Sequence, residues 1–219
     1  MKRKGAKTSV EKALDLIEAL KERDNLGVTE LSGILGLNKN NVFRILATLE
    51  VKGVIEQDKE TGHYRLGMKL LSLEYAYVKS LHFLKKAKPF IRNLRNATKE
   101  SVYLSVLHEN SVVYIYSEET KRPVLVNSRI GKRFPASVTA SGKALLKGKK
   151  EKGFFVEEDV ENAEPEVVEV ATVIRDESDN PVASLSILMP VERYKKGDTE
   201  FLKKSLVKAG KSVTEILKS

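Results

Sequence analysis

The sequence predicts an α+β chain: a three-helix unit closed by a β-hairpin, a linker helix, then an antiparallel sheet flanked by helices. Three observations carry this prediction. Residues 9–52 hold apolar side chains at helical spacing in three short runs, separated by Gly and Asn. Two strand-like runs follow at once around the loop Asp58-Lys59-Glu60-Thr61-Gly62. Beyond residue 100, β-branched and aromatic runs dominate until a closing amphipathic helix. The composition shift falls near residue 80, which divides the chain into domains 1–80 and 81–219.

In the first run Val10, Ala13, Leu14, Ile17 and Leu20 share one helical face, Ser9 is the expected N-cap with Lys12 at the third helical position, and Asn25 and Gly27 end the helix. Thr29 caps a short second helix that turns Leu31, Ile34 and Leu35 inward and stops at Gly36. The third helix covers residues 39–52 and closes at Gly53. It sets Val42, Ile45, Leu46 and Leu49 on its apolar face, and Lys39, Asn40, Asn41, Arg44 and Thr48 on the opposite one. Two short helices joined by a Gly-containing turn form a helix-turn-helix, whose second helix lies in the DNA major groove. The exposed residue types suit a groove-reading helix, since Asn bonds adenine bidentately, Arg bonds guanine, and Lys or Thr bonds phosphate. The hairpin of residues 54–57 and 63–66 makes a wing, from which Lys59, Thr61 and Arg65 can reach the DNA backbone or minor groove. The basic arm, residues 2–7, adds charge. A protein-docking module with a solvated third helix is the alternative for the same pattern.

Residues 66–80 read as a further helix with apolar stripes on two sides, Met68, Leu71, Tyr75 and Val78 on one and Leu70, Leu73 and Tyr77 on another. It is a linker with two partners or an ordinary core helix. Residues 81–98 continue as helix, with Pro89 either a kink or the first turn. Strands are expected at 102–107 and 111–117, at 124–126, and as a pair at 167–175 and 182–188. A helix over 198–217 closes the chain.

Composition narrows the chemistry. The 219 residues contain no Cys and three His, which excludes disulfides, Cys-ligated zinc, iron–sulfur clusters and a thiol nucleophile; no metal and no cofactor is expected. The net charge is +9, and it is unevenly placed: +3 over residues 1–80, +11 over 81–150 and −5 over 151–219. A basic excess invites a polyanion, yet most of it lies outside the helix-turn-helix. It is available for non-specific DNA attraction or for pairing with the acidic segment 157–169. The longest charge-free run, residues 180–191, falls short of the roughly 18 apolar residues of a membrane span, so no membrane partner and a cytoplasmic location are expected. Ser141-Gly142-Lys143 suggests a phosphate loop, but the required upstream Gly is Ser137 and the residue after Lys143 is Ala144, so that reading fails. With no thiol and no phosphate loop, nothing recommends an enzyme. A non-specific architectural DNA binder is the other alternative.

Three motifs in order carry a resemblance: Ser9-Val10-Glu11-Lys12-Ala13-Leu14-Asp15-Leu16-Ile17; Leu37-Asn38-Lys39-Asn40-Asn41-Val42-Phe43-Arg44-Ile45-Leu46-Ala47-Thr48-Leu49; and Thr61-Gly62-His63-Tyr64-Arg65-Leu66-Gly67. The chain resembles an IclR-type transcription regulator, a winged helix-turn-helix followed by a GAF-like effector domain. The second domain continues the match at Ile130-Gly131-Lys132-Arg133-Phe134-Pro135 and Thr139-Ala140-Ser141-Gly142-Lys143-Ala144-Leu145-Leu146. The resemblance implies double-stranded operator DNA as partner, a homodimer or homotetramer joined in part through the linker helix, and a small-molecule effector. It implies recognition-helix roles for Lys39, Asn40, Asn41 and Arg44, with Asn40-Asn41 standing where the family more often has Ser-Thr. It places an effector pocket near Ala140, Ser141, Asp159, Glu169 and Ser186. Two departures stand out. A stretch that usually follows the Gly-Lys-Ala-Leu motif is missing after Lys147, and residues 157–169 carry seven carboxylates. Unpaired carboxylates lining the pocket would repel an organic acid, so lost or altered carboxylate sensing is expected; a solvated acidic loop is the alternative.

Overall fold

The first helix, α1 (Ser9–Glu22), is capped by Thr8 rather than by Ser9. Thr8 Oγ1 accepts the Glu11 N–H at 3.2 Å, and Glu11 Oε2 accepts the Thr8 N–H at 2.6 Å. Starting one residue earlier puts Glu11 rather than Lys12 at the third position, so the capping box closes reciprocally and an acid sits at the positive helix end. The same device moves the start of α2 (Val28–Leu35) from Thr29 to Gly27, whose N–H donates to Glu30 Oε2 at 2.8 Å. Gly36 ends α2 in the left-handed region at φ 63°, as a C-cap requires. Asn38 Oδ1 accepts the Asn41 N–H and opens α3 (Lys39–Val51).

Leu16, Leu20, Leu26, Leu31, Val42, Leu46, Ile55 and Tyr64 form the core of the first unit. The expected inner faces of α1 and α2 are corrected in part: Val10 is 70% exposed, Leu14 57% and Ile34 50%, while Leu16 is fully buried. Helix α1 has apolar residues on two adjoining stripes: the one centred on Leu16 and Leu20 enters the core, while Val10 and Leu14 line an open cleft against α3. Strands β1 (Ile55–Gln57) and β2 (Tyr64–Leu66) pair antiparallel, Glu56 opposite Arg65. Gly67 leaves the hairpin with its Cα against the Gly53 carbonyl; an added Cβ would stand 2.5 Å from that oxygen. Helix α4 (Lys69–Ser80) starts three residues later than expected and buries no residue. Leu71, Leu73, Tyr75 and Tyr77 are all more than half exposed.

The computed structural model describes residues 7–123 and 126–218, and the chain divides into two compact units, 1–80 and 81–219. The basic arm at residues 2–6 lies outside the described residues. The second unit opens with α5 (His82–Thr98), which contains Pro89 in its interior. A six-stranded antiparallel sheet follows in the order β5-β4-β3-β8-β7-β6. Strands β3 (Ser101–His108) and β4 (Ser111–Glu118) form a hairpin. The strand expected at 124–126 falls for residues 124 and 125 outside the described residues, and Val126 belongs to no strand. The neighbour of β4 is instead β5 (Arg133–Pro135). Helix α6 (Ala140–Gly148) leads to β6 (Glu157–Val160), so the acidic segment begins as an edge strand, not as a loop. Strands β7 (Val167–Arg175) and β8 (Pro181–Pro190) pair along their whole length. The chain ends with α7 (Val191–Lys196) and α8 (Thr199–Lys218).

Side chains alternate across the sheet. Thr172 meets α8 where Gly210 approaches it, and α5 and α8 cover that face. Glu169, Val173 and Ser186 share the other face with Tyr103, Tyr114 and Asp159 by the register of the strands, and α6 covers it.

Candidate functional site

On α3, about 100° of rotation per residue places Asn40, Phe43, Arg44 and Ala47 away from the buried Val42 and Leu46. All four are exposed, as is Lys39. Asn41 and Thr48 sit off this stripe. With Arg44 they line a cleft of about 440 Å³ against Ser9, Lys12 and Ala13 of α1. Thr48 Oγ1 is exposed but donates its proton to the Arg44 carbonyl at 2.8 Å. The outward stripe of α3 is therefore Asn40, Arg44 and Ala47, with the exposed Phe43 at one edge and Thr48 at the other; Phe43 and Ala47 were absent from the sequence-based set.

The wing tip is built around Asp58. Its Oδ1 accepts the N–H groups of Glu60 and Thr61 at 2.8 and 3.0 Å, and these bonds hold its carboxyl below the ordinary range. Gly62 turns the chain at φ 73°. Lys59 and Thr61 project at this exposed tip. Arg65 is exposed on β2, but its Nη2 lies 3.4 Å from Glu56 Oε2 across the hairpin.

The second unit brings Ala140, Ser141, Asp159, Glu169 and Ser186 to one side of its sheet, all buried. Helix α6 can reach that side because Gly142 has no side chain: a Cβ there would stand 2.1 Å from the Ala136 carbonyl oxygen. Thr139 Oγ1 caps the helix by accepting the Gly142 N–H at 3.0 Å. Ser141 Oγ then donates to Glu169 Oε1 at 2.6 Å, and the Tyr114 hydroxyl donates to the same oxygen at 2.9 Å.

A residue outside the expected set completes this cluster. Arg129, with no solvent exposure, donates from Nη1 to the Tyr114 hydroxyl at 2.8 Å and to Glu169 Oε2 at 3.3 Å, and from Nε to Glu164 Oε2 at 2.6 Å. Its guanidinium packs over the rings of Phe134 and Tyr114, 4.7 and 5.3 Å from the centroids. Burial opposes the cation, but Tyr114, Glu169 and Glu164 outweigh it and keep Arg129 protonated above its ordinary range. Burial and the Glu169 charge push the Tyr114 phenol up. Among the described residues four buried side-chain polar atoms have no hydrogen-bond partner: Arg129 Nη2, Ser186 Oγ and Ser105 Oγ on this face, and Arg95 Nε elsewhere.

Of the seven carboxylates of 157–169, four meet a cation: Glu157, Glu158, Glu164 and Glu169. Asp159 closes the β6–β7 turn, accepting from the Asn162 side chain at 2.7 Å and from the Ala163 N–H at 3.1 Å. Glu157 pairs with Lys147 at 3.0 Å. Glu158 pairs with Lys203 at 2.5 Å and accepts a hydrogen bond from Tyr194. Arg129 and Lys147 both come from the basic middle of the chain, so part of that excess is neutralised inside the fold. The opposite net charges of 81–150 and 151–219 were the only sequence signal for this pairing.

Both units resemble known proteins. The IclR helix-turn-helix domain model matches residues 9–59, and the bacterial transcriptional regulator IclR C-terminal model matches residues 75–155. The chain is 37% identical over 139 residues to the HTH-type transcriptional regulator XynR of Escherichia coli, covering 63% of this chain and 55% of that protein. It thus spans about half the length of the curated relatives it matches. Its fold is that of the Thermotoga maritima IclR structure, with a TM-score of 0.77 at 20% identity over 96% of this chain and 99% of that one. An IclR homologue from Microbacterium hydrocarbonoxydans, solved with 4-hydroxybenzoate, gives a TM-score of 0.79 at 17% identity, covering 96% and 99%.

Proposed function

Because this chain belongs to the IclR family, we propose that it is a DNA-binding transcription regulator that recognises a near-palindromic operator as a dimer or tetramer. The observation that carries this reading is the outward face of α3, where Lys39, Asn40 and Arg44 stand together beside an exposed wing. Asn40 and Arg44 read base edges, while Lys39, Lys59 and Thr61 contact phosphates. Asn41 and Thr48 flank the groove from the α1 side, and Arg65 reaches DNA once released from Glu56. Helix α4, with apolar side chains exposed on more than one side, supports self-association, since a helix apolar all round needs partners on each side. DNA as partner puts the site of action in the cytoplasm. Among the described residues no helix is long and apolar enough to cross a membrane.

The second domain is read as an effector domain whose pocket, around Ala140, Ser141, Asp159, Glu169 and Ser186, has altered or lost its response to carboxylates. What supports this is Arg129, which is buried beside these residues and already engages Glu169, Tyr114 and Glu164. No feature favours an enzyme, and the relatives named above are regulators. Binding to duplexes selected from a random pool, compared with random DNA across a salt series, tests the reading. A regulator shows a specificity ratio of about 10³ or more, whereas an architectural binder shows none.

A further inference from the structure

Phe43 is 53% exposed at the edge of the outward face of α3, beside Asn40 and one turn before the exposed Ala47. An aromatic ring held in water by an otherwise well-packed helix is a contact surface waiting for an apolar partner. Its surroundings say what kind of partner. The first turn of α3 carries no acid, and Lys39 and Asn40 stand one turn before the ring on its own side of the helix, so the patch is apolar beside a cationic and a polar neighbour. That combination suits the DNA major groove, in which the C5-methyl group of thymine is the one apolar feature a base edge offers.

We propose that Phe43, supported by Ala47, is a specificity-determining residue that packs against a thymine methyl in each operator half-site, next to the bases hydrogen-bonded by Asn40 and Arg44. This inference rests on the regulator reading and adds to it a base identity set by packing rather than by hydrogen bonding. Phe43 is exposed and is not a member of the Leu16–Leu46 core, so its replacement should leave the domain folded, which its far-UV circular dichroism checks.

The test uses the full chain and an operator obtained by selection from a random duplex pool. Each selected thymine is replaced in turn by uracil, which removes the methyl and leaves every hydrogen-bonding edge unchanged. At one thymine per half-site the replacement should weaken binding by roughly 4-fold, the worth of one buried methyl-sized group. Phe43→Ala should weaken binding to the thymine operator and lose its sensitivity to uracil at that position; Phe43→Leu should keep part of it. Indifference of the wild-type chain to uracil at every thymine overturns the inference while leaving DNA binding intact. So does a Phe43→Ala chain that remains uracil-sensitive. A change in oligomeric state on Phe43→Ala, read by sedimentation, assigns the ring to self-association and overturns it as well. A chain that selects no sequence refutes the regulator reading, and this inference falls with it.

Discussion

Arg129 and Glu169 form an ion pair in which neither side chain is exposed, Nη1 to Oε2 at 3.3 Å, with the Tyr114 hydroxyl bridging them as acceptor from one and donor to the other. Burying such a pair costs desolvation on both sides, and that cost is offset only while each partner keeps its hydrogen bonds. Here the pair stands where the family resemblance puts a ligand.

Removing one member should be far more damaging than removing both. Arg129→Ala leaves Glu169 charged and buried, and should cost about 3–5 kcal/mol of stability. The double change Arg129→Met with Glu169→Leu should recover most of it. Urea unfolding of the second domain's tertiary signal measures both. A single variant as stable as the wild type would mean that water reaches Glu169.

The same geometry predicts poor response to organic acids. Titration of 4-hydroxybenzoate and other small carboxylates should leave the wild-type melting temperature unmoved, because their binding would require displacing either Glu169 or the Arg129 side chain. A shift of several degrees at sub-millimolar ligand would refute a self-occupied pocket.

Glu158 gives a pH signature. Burial opposes its ionisation, but hydrogen bonds from Lys203 and Tyr194 prevail and hold its carboxyl below the ordinary value of 4.5. A folded-state value below the unfolded one stabilises the fold above pH 4.5, and that contribution disappears as pH falls through the lowered folded value. Lys203→Met should therefore be less stable than wild type at pH 6, with the gap narrowing as pH drops below 4.5. Denaturation midpoints at pH 6, 4.5 and 3 check this, and a constant gap would contradict it.

On the DNA side, Arg44→Ala should weaken binding to a selected operator by about 1–3 kcal/mol and relax preference at one base pair. A loss that is uniform across sequences, with a shallower salt dependence, would instead place Arg44 on a phosphate.

Much of the first unit was legible from residue order. Hydrophobic spacing, the Gly36 and Gly53 stops and the hairpin loop locate its helices and wing, because these depend on contacts a few residues apart. Helix starts were misplaced by one or two residues where two capping residues compete: Thr8 against Ser9 and Gly27 against Thr29 were decided by which choice brings Glu11 or Glu30 within reach of the cap. The exposed stripe of α1 could not be told from the buried one, since both are apolar and only packing selects between them.

In the second unit, alternation identified four of the six strands but not β5 or β6. The three residues of β5 are held by pairing with β4, and the acidic Glu157–Val160 becomes a strand because β7 offers it an edge. Arg129 was invisible as a site residue for the same reason. Its partners Tyr114, Glu164 and Glu169 lie 15, 35 and 40 residues away in sequence.

By itself the sequence determined the helix-turn-helix, the wing and the residue types offered to a groove, which follow from local spacing and side-chain chemistry, and its motifs carried the family resemblance. Only the tertiary structure decided that Phe43 is exposed, that four carboxylates of the acidic segment meet cations, and that Arg129 is buried against Glu169 and Tyr114. Burial and charge pairing between distant segments are properties of the packed chain, and no local pattern encodes which cation meets which carboxylate.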